Sequence, residues 1–364
     1  MKAVGYRTSH PADHPEALID VDLPMPKATG HDLLVKVEAV SVNPVDYKIR
    51  LRAAPPPGEV KVLGYDAAGT VHAVGQDCTL FRPGDAVFYA GDIRRSGTNA
   101  EYHLVDERIV GRKPASLDFA DAAALPLTSI TAWELLFDRL GVSAGGGAGT
   151  ALLIIGGAGG VGSILIQLAR QLTSLTVIAT ASRPESAAWC LDLGAHHVVD
   201  HTGDLAAQVA ALGAPPVSCV ASLTQTEQHF ANIAQIVAPQ GRIALIDDPG
   251  LIDVRLLKQK SVSLHWEFMF TRSMFQTPDM IRQHELLNMV ADLVDNGRLR
   301  TTVRKHFAAI SARNLLKAHR LLERGRSHGK IVLDGFVDQT APFRRGKSSM
   351  TRRLGSMTRT RGSH

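Results

Sequence analysis

The chain has 364 residues, 45% hydrophobic and 21% charged, which is enough apolar material for two packed cores. No window approaches the roughly 18–20 apolar residues of a membrane span, and the opening MKAVGYRTSHPADHPEAL has no apolar signal core, so a cytoplasmic protein without a membrane partner is expected. The net charge of +5 is concentrated at one end: Arg344, Arg345, Lys347, Arg352, Arg353, Arg359 and Arg361 outweigh it, so the body is near neutral and argues against nucleic acid as a partner.

Residues 1–126 read as short strands broken by glycine and proline. Leu33–Val42 alternates apolar and polar, and Asp66–Gly75 and Asp85–Ala90 are also β-rich. Many short, glycine-punctuated strands imply an antiparallel, partly open barrel. The rhythm changes over 127–264. TALLIIGG, TVIATAS, HHVVDH, PPVSCVASL and GRIALID read as strands, with the helical segments VGSILIQLARQL and PESAAWCLDLGA among the connections. Strand, helix, strand at this spacing means a parallel, doubly wound sheet, so the fold class is α/β. Residues 265–336 bring a long amphipathic helix, DMIRQHELLNMVADLVDNG, and a final strand, GKIVLDGFV. Residues 337–364 read as a basic, disordered tail. Cys78, Cys190 and Cys219 are too few and too far apart for a disulfide framework or a cysteine-rich zinc site.

Gly157, Ala158, Gly159, Gly160, Val161 and Gly162 spell G-x-G-x-x-G. The string follows an apolar strand and opens a helix, the context a dinucleotide loop requires. The first glycine is expected to permit the turn, the second to admit a pyrophosphate, and the third to let helix and strand pack closely. Backbone N–H groups and the helix dipole then meet the phosphates. An NAD site places a carboxylate at the tip of the next strand. Here that tip reads Ser182-Arg183-Pro184, a hydroxyl and a guanidinium suited to a 2′-phosphate, so NADPH is the expected cofactor.

The strings SVNPVDYKIR, GYDAAGTV, AALPLTSITAWE, GGAGGVGSILIQLAR and SLHWEFMFTRSMFQTPDMI carry a resemblance. The chain resembles the medium-chain dehydrogenase/reductase superfamily from residue 1 to about 336. Within it, the quinone-reductase-like (zeta-crystallin) branch and the bacterial zinc-type alcohol dehydrogenase-like proteins are most similar. The resemblance implies a GroES-like barrel made of 1–126 and 265–336, a Rossmann domain over 127–264, and a homodimer. It also implies that Asn43 stands at the first zinc-ligand position and Tyr65 at the histidine of the Gly-His-Glu motif. Thiolate or neutral imidazole is what zinc requires, and neither stands there, so no metal is expected.

Losing zinc disfavours alcohol oxidation and leaves reduction of a quinone or an α,β-unsaturated carbonyl, whose developing oxyanion needs donors rather than a metal. Asn43, Tyr47 and Lys48 offer such donors, and Asp46 is expected to cap the helix YKIRL. The resemblance places Tyr65 at the same site and Lys48 where many quinone reductases have tyrosine. It also places Thr128 and Thr131 by the nicotinamide and phosphate, His201 near the 2′-phosphate, and Lys330 closing on the phosphates. Leu223 and Asp247 end the fourth and fifth parallel strands, where their backbones would meet the cofactor. Two alternatives stay open: a zinc-dependent alcohol dehydrogenase, and a non-catalytic NADPH-binding or nucleic-acid-binding protein.

Overall fold

The computed structural model describes residues 1–325 and 327–336; the basic tail expected at 337–364 lies outside the described residues. A six-stranded, all-parallel sheet runs in the spatial order His197–Val199, Thr176–Thr180, Ala151–Ile155, Val217–Ser222, Arg242–Leu245, Ser263–Trp266. The first strand in sequence, Ala151–Ile155, is central because it is apolar on both faces. Leu152 and Ile154 enter one core, while Ala151, Leu153 and Ile155 enter the other. The chain winds outward from it to one side, returns, and winds out on the other. That reversal opens a crevice between Ala151–Ile155 and Val217–Ser222, at their carboxyl ends.

The barrel is built from a three-stranded and a seven-stranded sheet. Its spine is Asp32–Val42, whose eleven residues pair antiparallel with Ala67–Val74, Tyr102–Asp106 and Lys330–Asp334. The last of these brings Lys330, remote in sequence, to the end of the spine beside Val42. Among the strands that sequence periodicity did not single out are Val303–Phe307, which pairs parallel with Lys330–Asp334, and Ser263–Trp266 at the edge of the parallel sheet. The long helix begins at Arg282 rather than at Asp279, because Met280 and Arg282 close turns onto Thr277 and Asp279. It buries Leu286, Leu287, Val290 and Ala291 against the barrel.

Two segments cross between barrel and sheet. The first is the helix Pro126–Trp133, which runs into a π-helical turn, Glu134–Arg139, closed by Leu140 N–H donating five residues back to Leu135 O at 2.9 Å. The second leaves the edge strand through 267–270 and re-enters the barrel in the short helix Thr271–Phe275. No helix among the described residues is long and apolar enough to cross a membrane.

Candidate active site

Between barrel and sheet lies a cleft of about 1020 Å³. The glycine loop forms its floor. Gly159 caps the helix Gly160–Leu172, whose first turn faces the cleft together with Ala158, Val161 and Gly162. The tight turn falls one residue earlier than expected: Gly156, not Gly157, carries the positive φ of 83°. Gly157 is off the cleft wall and needs no side chain for another reason, since a Cβ there would lie 2.7 Å from that of Ala179. At Gly162 a Cβ would come within 2.5 Å of the Gly156 and Gly157 carbonyls, so helix and turn can pack only around glycine.

Ser182, Arg183 and His201 also line the cleft, past the tips of Thr176–Thr180 and His197–Val199. Arg183 caps the helix Pro184–Asp192, and its guanidinium donates to Ser186 Oγ at 3.3 Å. Burial, and then the charges of Arg304, Arg183 and Lys305, hold His328 below the usual histidine range. This cationic grouping draws on a strand that sequence periodicity did not reveal. The His201 ring stands edge-on to His229 at 5.7 Å, and its Nδ1 is buried with no protein partner among the described residues. Leu223 and Asp247 lie at the cleft as expected, and the Asp247 carboxylate turns inward to accept from Thr226 N–H at 2.9 Å. Thr128 and Thr131 line the wall, with their hydroxyls donating back to helix carbonyls: Leu125 O at 3.2 Å and Leu127 O at 2.8 Å respectively.

At the barrel side the site is organised by one buried carboxylate. Asp66 is fully buried and accepts from Asn43 Nδ2 at 2.7 Å, Lys330 Nζ at 2.9 Å and Leu127 N–H at 2.8 Å. Burial pushes its carboxyl up, and Lys330, Asn43 and Leu127 N–H oppose that push. Lys330 Nζ also donates to Asn43 Oδ1 and to Val42 O, the latter at 3.1 Å. All three ammonium N–H groups are thereby engaged within the protein, while Lys330 also stands on the cleft wall as expected of a residue beside the cofactor. Its stem still meets the glycine loop, since a Cβ at Gly160 would lie 3.1 Å from Lys330 Cδ. Asn43 stands on the cleft wall with its amide orientation set by these two partners.

Three further expectations are revised or refined. Tyr65 is absent from the cleft wall; it is 1% exposed, stacks edge-on to Phe270 at 5.5 Å, and has a buried hydroxyl whose pKa is raised by burial and by Asp46. Asp46 does not precede its helix: Asn43 is the N-cap of Pro44–Arg52, and Asp46 accepts from Asn43 N–H at 2.6 Å and Gly64 N–H at 3.1 Å. Burial pushes Asp46 up to about 7. Lys48 lines the cleft, and its ammonium pairs across it with Asp248, as does Arg52, each at 3.1 Å. Tyr47 is half-buried on the same wall.

The pair Lys330–Asp66 generates a direct expectation. Lys330→Met alone leaves a buried charge uncompensated and lowers unfolding free energy by about 3–5 kcal/mol. Combining it with Asp66→Asn recovers most of that loss. Denaturant unfolding of the singles and the double checks it; strictly additive losses would refute the coupling.

Two family matches cover parts of the chain. Residues 29–115 match the alcohol dehydrogenase GroES-like domain, and residues 193–333 match a zinc-binding dehydrogenase family. A zinc-type alcohol dehydrogenase-like protein of Staphylococcus aureus is 40% identical over 343 residues, covering 92% of this chain and 100% of that protein. A quinone oxidoreductase of Lama guanicoe is 30% identical over 264 residues, covering 71% of this chain and 77% of that one. A crystal structure from Rhizobium etli CFN 42, assigned by name to the zinc-dependent alcohol dehydrogenases, superposes with a TM-score of 0.90 at 61% identity, covering 93% of this chain and 98% of that one. The cleft, the two sheets around it and these relatives together place the chain in the medium-chain dehydrogenase/reductase superfamily, as an oxidoreductase with a GroES-like barrel and a Rossmann nucleotide fold.

Proposed function

We propose that this protein transfers hydride from NADPH to a quinone or an α,β-unsaturated carbonyl, with no zinc at its centre. The observation that carries the reading is the Lys330–Asp66–Asn43 network beside the nucleotide cleft. The names of several relatives imply zinc, and the residues here do not fit it. Asn43 presents an amide whose oxygen accepts from Lys330, the Tyr65 phenol is buried off the cleft, and the Asp66 carboxylate is already paired. An ammonium therefore stands among the oxygen atoms a cation would need. Among the described residues, no group of three His, Cys, Asp or Glu side chains could hold a metal ion.

NADPH, when bound, supplies the hydride. The protein's part is to bind and orient both partners and to stabilise charge on the acceptor oxygen. The glycine loop and the first turn of Gly160–Leu172 would hold the pyrophosphate, and Ser182 and Arg183 the 2′-phosphate. On the facing wall, the second N–H of the Asn43 amide, the Tyr47 phenol and the Lys48 ammonium are the donors available to an enolate or hydroquinone oxygen. The quinone oxidoreductase relative supports this acceptor class, and the apolar flank of Phe268, Met269 and Phe270 suits a planar ring or enone. A homodimer joined at the sheet edge Ser263–Trp266 also fits: among the described residues nothing pairs with the outer side of that edge, and Trp266 is 56% exposed.

With NADPH, turnover of a benzoquinone, a naphthoquinone or an enone should persist in chelator. Alcohol oxidation with NADP⁺ that chelator abolishes would overturn the zinc-free reading, and cofactor binding without any turnover would favour a non-catalytic role. Arg183→Gln should weaken NADPH binding by about tenfold or more, the loss of a charge-assisted hydrogen bond, and leave NADH nearly unchanged; equal effects on both in a fluorescence titration would refute the 2′-phosphate assignment. Light scattering should give a dimer mass that Trp266→Lys shifts to monomer; a wild-type monomer would overturn the edge-to-edge dimer.

A further inference from the structure

The two chain segments that cross between barrel and sheet meet at a buried ionic cluster which plays no part in the reaction outlined above. Glu134 opens the π-helical turn of the first crossing. Glu267 follows the edge strand on the second, with its N–H donating to Leu245 O at 2.8 Å. Their side chains are 1% and 0% exposed. Arg139 lies between them, 2.9 Å from Glu267 Oε2 and 4.0 Å from Glu134 Oε2. Arg272 reaches Glu134 Oε1 at 2.5 Å and also contacts Asp138 and Asp279, each at 3.0 Å. Arg282 stands 3.9 Å from Asp138.

Charge and hydrogen bonding make the same demand on this cluster. Four carboxyls face three guanidiniums, leaving one negative charge in excess. His265 and Arg242, on the adjoining strands, are the other titratable groups nearby; Arg242 makes no ion pair with the four carboxyls among the described residues and donates instead to Leu140 O at 2.8 Å. His265 is held below its usual range by burial, Arg242 and Arg139, so it offers no compensating charge near neutral pH. Glu134 Oε2 and Glu267 Oε1 are buried, and neither has a donor among the described residues. As two carboxylates they would be two orphaned acceptors, which is costly in a buried site. One proton would let one carboxyl donate to the other beside the Arg139 guanidinium that both approach. That proton also cancels the excess charge.

We propose that Glu134 and Glu267 share one proton between facing carboxyls, and that this neutralised pair positions the segment 267–270 as a wall of the acceptor end of the cleft. Glu267 to Phe270 all line the cleft. The cluster grips this wall twice: through Glu267 itself, and through Gln283 Nε2, which donates to Glu134 Oε1 at 3.0 Å and to Met269 O at 2.7 Å. Phe270 in turn packs on Tyr65, behind the Asn43 network. Both residues are positioning residues, and the placement of the acceptor end rests on the hydride-transfer reading.

Burial, and then the neighbouring Glu134 charge, push Glu267 up to about 9. The folded protein therefore holds a proton that the unfolded chain has released from about pH 5 upward, and stability falls as pH rises through the window that ends near 9. Glu267→Gln supplies a permanent donor to Glu134 in nearly the same shape. Its melting temperature should fall less between about pH 5 and 9 than that of the wild type, by about 2 °C or more. Glu134→Gln should flatten the curve in the same way and serves if the first variant fails to fold. In kinetics, Glu267→Ala should raise KM for the acceptor more than it lowers kcat, with NADPH affinity retained. Glu267→Gln should restore KM and lack the wild type's alkaline fall in kcat/KM. Melting curves that run parallel in wild type and both Gln variants, or an alkaline fall that persists in Glu267→Gln, would overturn the proposal. The melting comparison needs no substrate, so wild type without turnover would sink the hydride-transfer reading and leave the shared proton standing or falling on its own.

Discussion

The site depends on one buried ion pair, Lys330 with Asp66. Neither group could stay charged there alone, because an unpaired ion in a dry site is very costly. Together they join three stretches of chain that are distant in sequence: the end of the barrel spine at Val42 and Asn43, the Gly64-Tyr65-Asp66 turn, and the helix Pro126–Trp133 through Leu127 N–H. Once the pair is in place, the Asn43 amide has a single sensible orientation, oxygen toward the ammonium and nitrogen toward the carboxylate. The wall that faces the nucleotide cleft is thereby preorganised before any ligand arrives.

A cleft between two folding units must also be held at a working width. The Lys48 and Arg52 pairs with Asp248 span it, but all three side chains are substantially exposed, at 31%, 64% and 59%. Exposed pairs of this kind contribute about 0–1 kcal/mol each and weaken with salt. The stronger tie lies at the crossings, where Glu134, Glu267 and Arg272 are buried. The cleft mouth is thus held by weak, reversible contacts and its back by a desolvated network. Such a division allows ligand entry without loosening the crossings.

The relatives' names and this chain's donors point to different chemistry, and the difference can be traced to particular atoms. A tetrahedral zinc site needs soft or neutral nitrogen and sulfur ligands. Here the corresponding stretch offers an amide, a phenol buried against Phe270, and a carboxylate already paired with an ammonium.

Much of the architecture was legible in the sequence because it rests on local periodicity. The apolar run at Ala151–Ile155, the glycine loop after it, and the helix Gly160–Leu172 each follow from near-neighbour rules, and they place the nucleotide cleft. The missing carboxylate after Thr176–Thr180 was legible for the same reason. Long-range partners were not. The strand Val303–Phe307 is half-exposed and polar, so its pattern does not announce a sheet, and the edge strand Ser263–Trp266 covers too few residues to show a period. The ammonium of Lys330 meets Asp66 across a separation that no motif encodes, and Glu134 and Glu267 approach one guanidinium, Arg139, only because two crossings converge. The sequence alone determined which elements form and where a dinucleotide fits; tertiary packing alone decided which buried charges neutralise one another, because desolvation and pairing act through space and leave no local pattern in the chain.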